Sequence, residues 1–118
     1  MDAGDVNLTF KRYLESPVTL TIEQDFVTDI AGTGVDADLF RDYIAAWGDR
    51  EAYAVSHVGW GMNPELRAFA GNFLYSTGAN ETAKRYTLGH FDLPVRNCTI
   101  RLDDTVIVDA GVLQGDLA

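Results

Sequence analysis

The sequence "YTLGHFDLPVRNCTIRLDDTVIVDAG", residues 86–111, decides the predicted fold because it contains three short stretches with strand character. Alternation of apolar and polar residues is typical of a strand with one buried face. The second and third stretches, "CTIRLDD" and "TVIVDAG", meet at Asp103 and Asp104, a pair that favours a tight turn. The C-terminal part of the chain is therefore predicted to be sheet.

Three stretches nearer the N-terminus also have strand character. "VNLTFKRYL" (residues 6–14) and "VTLTIEQDFVTDI" (18–30) alternate apolar and polar residues, and Pro17 belongs to the break between them. "AYAVSHVGWG" (52–61) is typical of a strand that runs into a glycine-rich turn. The chain thus has blocks of strands at both ends.

Two segments between these blocks have helical patterns. Asp36 is a candidate cap for a helix that Gly48 ends, with an apolar stripe formed by Leu39, Phe40, Tyr43, Ile44 and Trp47. Asn63 and Pro64 predict the start of a second helix, with an apolar face formed by Leu66, Phe69, Ala70 and Phe73. We predict a single α+β domain with a mixed or mainly antiparallel sheet and two principal helices.

Composition limits the classes of function. A chain of 118 residues is long enough for one domain with a single core. Its net charge of −9 argues against binding to nucleic acid or to an anionic membrane, because both need clustered basic side chains. The one cysteine, Cys98, excludes an internal disulfide and a cysteine-based zinc site. The sequence has no apolar run that could span a bilayer, so we expect a cytoplasmic protein.

His90 and Asp92 are the first candidates for chemistry. Two positions apart on a predicted strand, their side chains share one face, and Phe91 points to the other. The second histidine of the chain, His57, stands just before "GWG" (59–61). Two histidines and one carboxylate with open positions form a donor set that suits non-haem Fe(II) and oxygen chemistry. From the pattern alone, a histidine hydrogen-bonded to the aspartate is the more common arrangement.

Ordered blocks along the chain resemble one enzyme family. "SHVGWGMNP" (56–64), "AGNFLYSTGAN" (70–80) and "GHFDLPVRNCTIRLDDTVIVDAG" (89–111) are similar to the C-terminal part of the 2,5-dihydroxypyridine 5,6-dioxygenases. These are iron enzymes of nicotinate and nicotine breakdown, related in fold to thermophilic-type metallo-aminopeptidases. "LTFKRYLESPVTLTIEQDFVTDIAG" (8–32) also matches in order. The resemblance implies that residues 1–118 are a metal-binding, C-terminal-type domain from a longer enzyme.

The same resemblance implies a set of iron ligands. The family holds Fe(II) with two histidines, an aspartate and a serine, and these fall here on His57, His90, Asp92 and Ser76. A role for Ser76 as a cap of the turn at Gly78 is an equal alternative.

Arg96 and Trp60 are candidate substrate-binding residues. Arg96 could approach a substrate anion or pair with Asp92, and Trp60 could form a wall for an aromatic ring. A surface arginine and a core or interface tryptophan are the alternatives. No catalytic acid or base can be assigned, because both histidines are assigned to the metal and the family's other histidines lie in an N-terminal region.

The function that the resemblance implies is a non-haem, Fe(II)-dependent, ring-cleaving dioxygenase. Its substrates would be O2 and a small aromatic N-heterocycle, 2,5-dihydroxypyridine, with N-formylmaleamate as the product; we also expect a homo-oligomer. Two alternatives stay open. One is a metallo-aminopeptidase-like hydrolase, although those relatives carry a glutamate where this chain has His57. The other is a non-catalytic assembly domain.

Overall fold

The structure, a computed structural model, describes residues 1–61 and 73–115. Within these residues the elements are β1 (Val6–Asn7), β2 (Arg12–Tyr13), β3 (Thr19–Glu23), β4 (Phe26–Ala31), α1 (Val35–Ala46), a 3₁₀ turn (Arg50–Tyr53), β5 (Val55–Trp60), β6 (Phe73–Asn80), β7 (Arg85–Val95), β8 (Ile100–Leu102), β9 (Thr105–Asp109) and β10 (Val112–Leu113).

The strands pair in four small antiparallel sheets. β1 pairs with β2, β3 pairs with β4, β6 lies between β5 and β7, and β9 lies between β8 and β10. The tight turn predicted at Asp103 and Asp104 is confirmed, because Leu102 pairs with Thr105 across it. Asp103 takes a positive φ of 50°, which aspartate adopts more readily than most residues.

The predicted α+β fold with two principal helices is wrong. Strands account for 49% and helices for 16% of the structure. The predicted second helix lies mainly at residues 63–72, outside the described residues, and Phe73, which was assigned to its apolar face, begins β6. That strand has partners on both sides, and cross-strand pairing is not visible in a local pattern. Within 1–61 and 73–115, no helix is long and apolar enough to cross a membrane.

The helix α1 is the first predicted helix, but its capping differs from the prediction. Gly34 occupies the cap position, and Asp36 lies buried in the first turn. The Asp36 carboxylate accepts hydrogen bonds from the backbone N–H groups of Glu15 (2.8 Å) and Ser16 (3.0 Å) and forms an ion pair with Arg12 (3.3 Å). Asp36 therefore fastens the connection between β2 and β3 to the helix.

The core lies between α1 and one face of the β5–β6–β7 sheet. Phe40 and Ile44, one turn apart on α1, are fully buried with Phe91 and Leu93 of β7. The Phe40 and Phe91 ring centroids lie 4.7 Å apart. Side chains on a strand alternate between faces, so the even-numbered positions of β7 that flank Phe91 point away from this core.

Tyr75 of β6 lines an apolar cavity of about 460 Å³ on the core side of the sheet, together with Leu20, Val58 and Leu93. The residue is 7% exposed, and within the described part of the chain its hydroxyl has no hydrogen-bond partner. Burial raises the pKa of Tyr75 to about 12, since the phenolate is disfavoured in apolar surroundings.

Replacing Tyr75 with phenylalanine is expected to raise the free energy of unfolding by about 1 kcal/mol, because it removes an unpaired buried hydroxyl. Because the pKa of Tyr75 is raised in the folded protein, the free energy of unfolding is unaffected by this group below pH 10 and falls as the pH rises from 10 toward 12. The variant should therefore lose less stability between pH 10 and pH 11. Urea unfolding at pH 7 and in this alkaline range measures both effects.

Tyr86→Phe is the matched control, because Tyr86 lies on the neighbouring strand β7 and is largely exposed. It should change neither quantity. A loss of stability in Tyr75→Phe would contradict the prediction and would indicate that the hydroxyl is paired.

Candidate metal centre

Strand pairing places three of the predicted ligands in one row across the β5–β6–β7 sheet. His57 of β5 pairs with Ser76 of β6, and Ser76 pairs with Asp92 of β7. His90 lies two positions before Asp92 and pairs with Gly78. Directly paired residues point to the same face of a sheet. All four side chains therefore lie on the face opposite the core.

The donor atoms of these side chains converge on one carboxylate oxygen. Asp92 Oδ1 lies 2.6 Å from Ser76 Oγ, 3.4 Å from His90 Nε2 and 3.9 Å from His57 Nε2. Ser76 Oγ also lies 2.9 Å from His57 Nε2. The two imidazole rings stack with their centroids 5.7 Å apart and their planes at 29°. Both histidines thus present Nε2 to the same point.

The cluster is closed on the side of the sheet and exposed to solvent on the opposite side. Ser76 is 0% exposed and forms its floor. The side chains of His57, His90 and Asp92 are 49%, 41% and 31% exposed. A small ligand in solution can therefore reach the two imidazoles and the carboxylate directly from that side.

The close approach of β6 and β7 beneath the cluster depends on Gly78. A Cβ atom at Gly78 would lie 1.8 Å from the carbonyl oxygen of Gly89, and the backbone φ of Gly78 is +96°. Both conditions require glycine. The backbone carbonyl of His90, the partner of Gly78, accepts a hydrogen bond from the Tyr43 hydroxyl of α1 at 3.1 Å. His90 is thus held by the next strand and by the helix.

The donor set suits a transition metal. Two imidazole nitrogens and one carboxylate form the facial triad of non-haem Fe(II) oxygenases, and Ser76 adds a hydroxyl. Among residues 1–61 and 73–115, no three His, Cys, Asp or Glu side chains stand as a preformed metal site. Instead, the Ser76 hydroxyl links His57 and Asp92 through hydrogen bonds. The chemistry of the four donors and the convergence of their atoms fit a bound metal ion.

The structure places the two predicted substrate-binding residues elsewhere. The Arg96 guanidinium donates to the carbonyl of Gly4 at 3.0 Å, and the Arg96 backbone N–H donates to Asp5 at 2.7 Å. Trp60 pairs with Phe73, and its odd separation from His57 puts it on the other face of β5. In the part of the chain that the structure describes, neither residue forms a hydrogen bond or an ion pair with the four donors.

Sequence reasoning missed Ser56, which stands beside the centre. Its Oγ lies 3.2 Å from His57 Nδ1. Ser56 lies at a bulge between Val55 and His57, where the strand register shifts. The sequence carries no sign of this bulge, because Ser56 continues an ordinary strand pattern.

Comparison with known proteins gives a consistent match over both halves of the chain. The family model described as NicX, 2,5-dihydroxypyridine 5,6-dioxygenase, matches residues 1–66 and 64–115. The 2,5-dihydroxypyridine 5,6-dioxygenase of Pseudomonas putida KT2440 is 43% identical over 131 aligned positions, which cover 94% of this chain and 37% of that protein. The solved structure of a 2,5-dihydroxypyridine dioxygenase from the same organism has a TM-score of 0.85 and 42% identity, and the match covers 98% of this chain and 39% of that one.

The chain thus spans less than two fifths of the length of the relatives that it matches. Within that span, fold and sequence agree from the first strands to the last. The chain belongs to the 2,5-dihydroxypyridine 5,6-dioxygenase family.

Proposed function

We propose that this chain carries the iron centre of a non-haem Fe(II)-dependent dioxygenase that cleaves 2,5-dihydroxypyridine, in the breakdown of nicotinate or nicotine. His57, His90 and Asp92 would hold the metal, with Ser76 as a fourth ligand. One observation supports this most strongly: His57 Nε2 of β5 and His90 Nε2 of β7 both lie within 4 Å of Asp92 Oδ1 on the same face of the sheet. The name of the relative that is 43% identical adds the substrate.

The residues of this chain have separate tasks in this proposal. When bound, Fe(II) would supply the redox chemistry that allows the substrate hydroxyl and O2 to react. Asp92 supplies the negative charge that favours a divalent cation, and buried Ser76 fixes the carboxylate by donating a hydrogen bond at 2.6 Å. The half-exposed faces of His57 and His90 leave access for a flat ring.

The proposed reaction adds both atoms of O2 to the substrate. The ring bond between C5 and C6 breaks, each of these carbons gains one oxygen, and N-formylmaleamate is the product. The acid–base step needs a group outside the proposed ligand set, because the sequence has two histidines and both belong to that set. We propose that the enzyme supplies this group from a region that corresponds to the part of the longer relatives outside the match. We also propose that the enzyme is cytoplasmic.

The donor set favours this function over peptide hydrolysis by two metal ions. Such hydrolysis uses a site rich in carboxylates. Among the residues that the structure describes, Asp92 is the carboxylate in contact with the imidazoles. The family resemblance further implies that His57 stands where the aminopeptidases carry a glutamate.

Anaerobic loading with Fe(II) tests the metal assignment. We expect one Fe(II) per chain by metal analysis after gel filtration. The product of the natural gene, loaded in the same way, should consume one O2 per 2,5-dihydroxypyridine, with N-formylmaleamate identified by its mass. A chain that retains no stoichiometric Fe(II) would contradict the proposal, and release of amino acids from peptides would favour the hydrolase.

A further inference from the structure

A bulge in β5 shapes the approach of His57 to the centre. Val55 pairs with Thr77 and His57 pairs with Ser76, so β5 advances two residues where β6 advances one. The extra residue is Ser56, which is 6% exposed. Bulges of this kind bend a strand and re-aim its side chains, and they are frequent next to active sites.

Hydrogen bonds to the far end of β6 fix the bulge. The Ser56 hydroxyl donates to the carbonyl of Ala79, and the side-chain amide of Asn80 donates to the carbonyl of Ser56. The backbone N–H of Gly78 donates to the carbonyl of Ala54 at 2.8 Å. Ser56 Oγ is held in this way 3.2 Å from His57 Nδ1.

Each ring nitrogen of His57 lies close to a serine hydroxyl, whose hydrogen decides whether that nitrogen can act as a donor or an acceptor. A serine hydroxyl has one hydrogen to donate. The hydrogen of Ser56 goes to Ala79, because a carbonyl oxygen can only accept. Ser56 therefore offers a lone pair to His57 Nδ1, and the 3.2 Å contact is a hydrogen bond when that nitrogen carries the N–H. The Nε2 atom of the neutral ring is then left with a free lone pair.

The Ser76 hydroxyl, at the other ring nitrogen, also has its hydrogen bound elsewhere. The hydrogen of Ser76 goes to Asp92 Oδ1, so Ser76 Oγ also offers a lone pair toward His57 Nε2, at 2.9 Å. One neutral imidazole cannot supply a hydrogen to both serines. A doubly protonated ring would donate to both serines, and a cation bound at Nε2 also removes the conflict, because Nδ1–H then serves Ser56 and the Nε2 lone pair serves the metal.

We propose that Ser56 is a positioning residue that fixes the ring tautomer of His57. It accepts the Nδ1–H bond and so keeps Nε2 unprotonated and aimed at the metal. This inference rests on the proposed function. Partners of this kind orient metal-bound histidines, and their loss lowers metal affinity by about 10- to 100-fold.

Nitrogen NMR on histidine-labelled protein tests the inference directly. With two histidines in the chain, a His90→Gln sample assigns the signals. We expect the His57 ring to carry its proton on Nδ1 with Zn(II) bound as a diamagnetic probe, and metal-free wild type to carry a larger share of the ring proton on Nδ1 than metal-free Ser56→Ala. An equal share in the two metal-free proteins would overturn the inference, whether or not the protein binds metal.

Metal affinity provides the second measurement. In a competition titration against a chelator, Ser56→Ala should bind Fe(II) and Zn(II) at least 10-fold more weakly. Ser56→Thr, which keeps the hydroxyl, should restore most of the affinity. Thr77→Val is the matched control, because Thr77 is buried on β6 and its hydroxyl has no partner among the described residues.

The outcomes separate this inference from the proposed function. If the wild-type chain binds Fe(II) and Ser56→Ala binds it with unchanged affinity, Ser56 has no positioning role and the iron centre stands. If the wild-type chain binds no metal, the proposed function fails, and the NMR result alone decides which tautomer Ser56 imposes.

Discussion

Replacing Asp92 with alanine is expected to lower the affinity of the chain for Fe(II) by at least about 100-fold, more than the loss of a partner outside the ligand set would. Asp92 Oδ1 is the oxygen on which the other three donors converge, at distances from 2.6 to 3.9 Å. The carboxylate is also the charged member of the donor set. Without it, two neutral imidazoles and a hydroxyl hold a divalent cation poorly.

Anaerobic titration with Fe(II), with chelator competition for tight complexes, measures this loss. Asp29→Ala is the matched control, since Asp29 is an exposed strand aspartate on β4. It should bind Fe(II) like the wild type. Asp92→Asn keeps the shape of the side chain and separates the loss of charge from any loss of fold. Unchanged iron stoichiometry and affinity in both Asp92 variants would refute the assignment of this ligand.

Replacing Gly78 with alanine is expected to unfold the domain, at a cost of more than about 4 kcal/mol. The added Cβ would lie 1.8 Å from the carbonyl oxygen and 2.6 Å from the carbonyl carbon of Gly89. Both contacts are with backbone, which no side-chain rotation relieves. The φ of +96° adds strain for any residue with a Cβ. Domains have a free energy of unfolding of about 5–15 kcal/mol, so such a loss removes most of the stability of a domain at the lower end of that range.

Urea unfolding followed by circular dichroism measures this effect, with Gly59→Ala as the control. Gly59 lies on β5 of the same sheet, and a Cβ there would meet nothing within 4 Å. We expect Gly59→Ala to change stability by less than about 1 kcal/mol, the ordinary difference between glycine and alanine. A folded Gly78→Ala protein with near-native stability would show that β6 and β7 can separate without loss of the sheet.

Local patterns in the sequence indicated strand in most segments that have it, except β6, but they gave neither the bounds of the strands nor their assembly. The alternation of β7 and the turn at Asp103 and Asp104 are visible because each depends on neighbouring residues. The division into four sheets depends on which strands pair, and no local pattern encodes that choice. Asp36 shows the same limit. It has the right type and position for a helix cap, but its carboxylate binds the backbone of Glu15 and Ser16.

The candidate site was predictable in part for the same reason. The shared face of His90 and Asp92 follows from the period of a strand, and the structure has it. The approach of His57 and Ser76 depends on the register of β5 against β6, including a bulge. His57 entered the prediction as the second histidine of the chain, and Ser76 entered it only through the resemblance to a family. Ser56 was missed because it is held by hydrogen bonds with Ala79 and Asn80 of β6, which lie 23 and 24 residues further along the chain.

The half-exposed histidines would set the time scale on which the proposed centre exchanges a metal ion. A ring that is 41% or 49% exposed can turn away by rotation about its side-chain bonds. Exposed side chains change rotamer in picoseconds to nanoseconds, whereas opening a packed sheet takes microseconds or longer. In the proposed centre, release of an ion from His57 and His90 would therefore require no strand to separate. Retention of the metal would then be governed by the strength of the ligand bonds, and not by the kinetic stability of the fold.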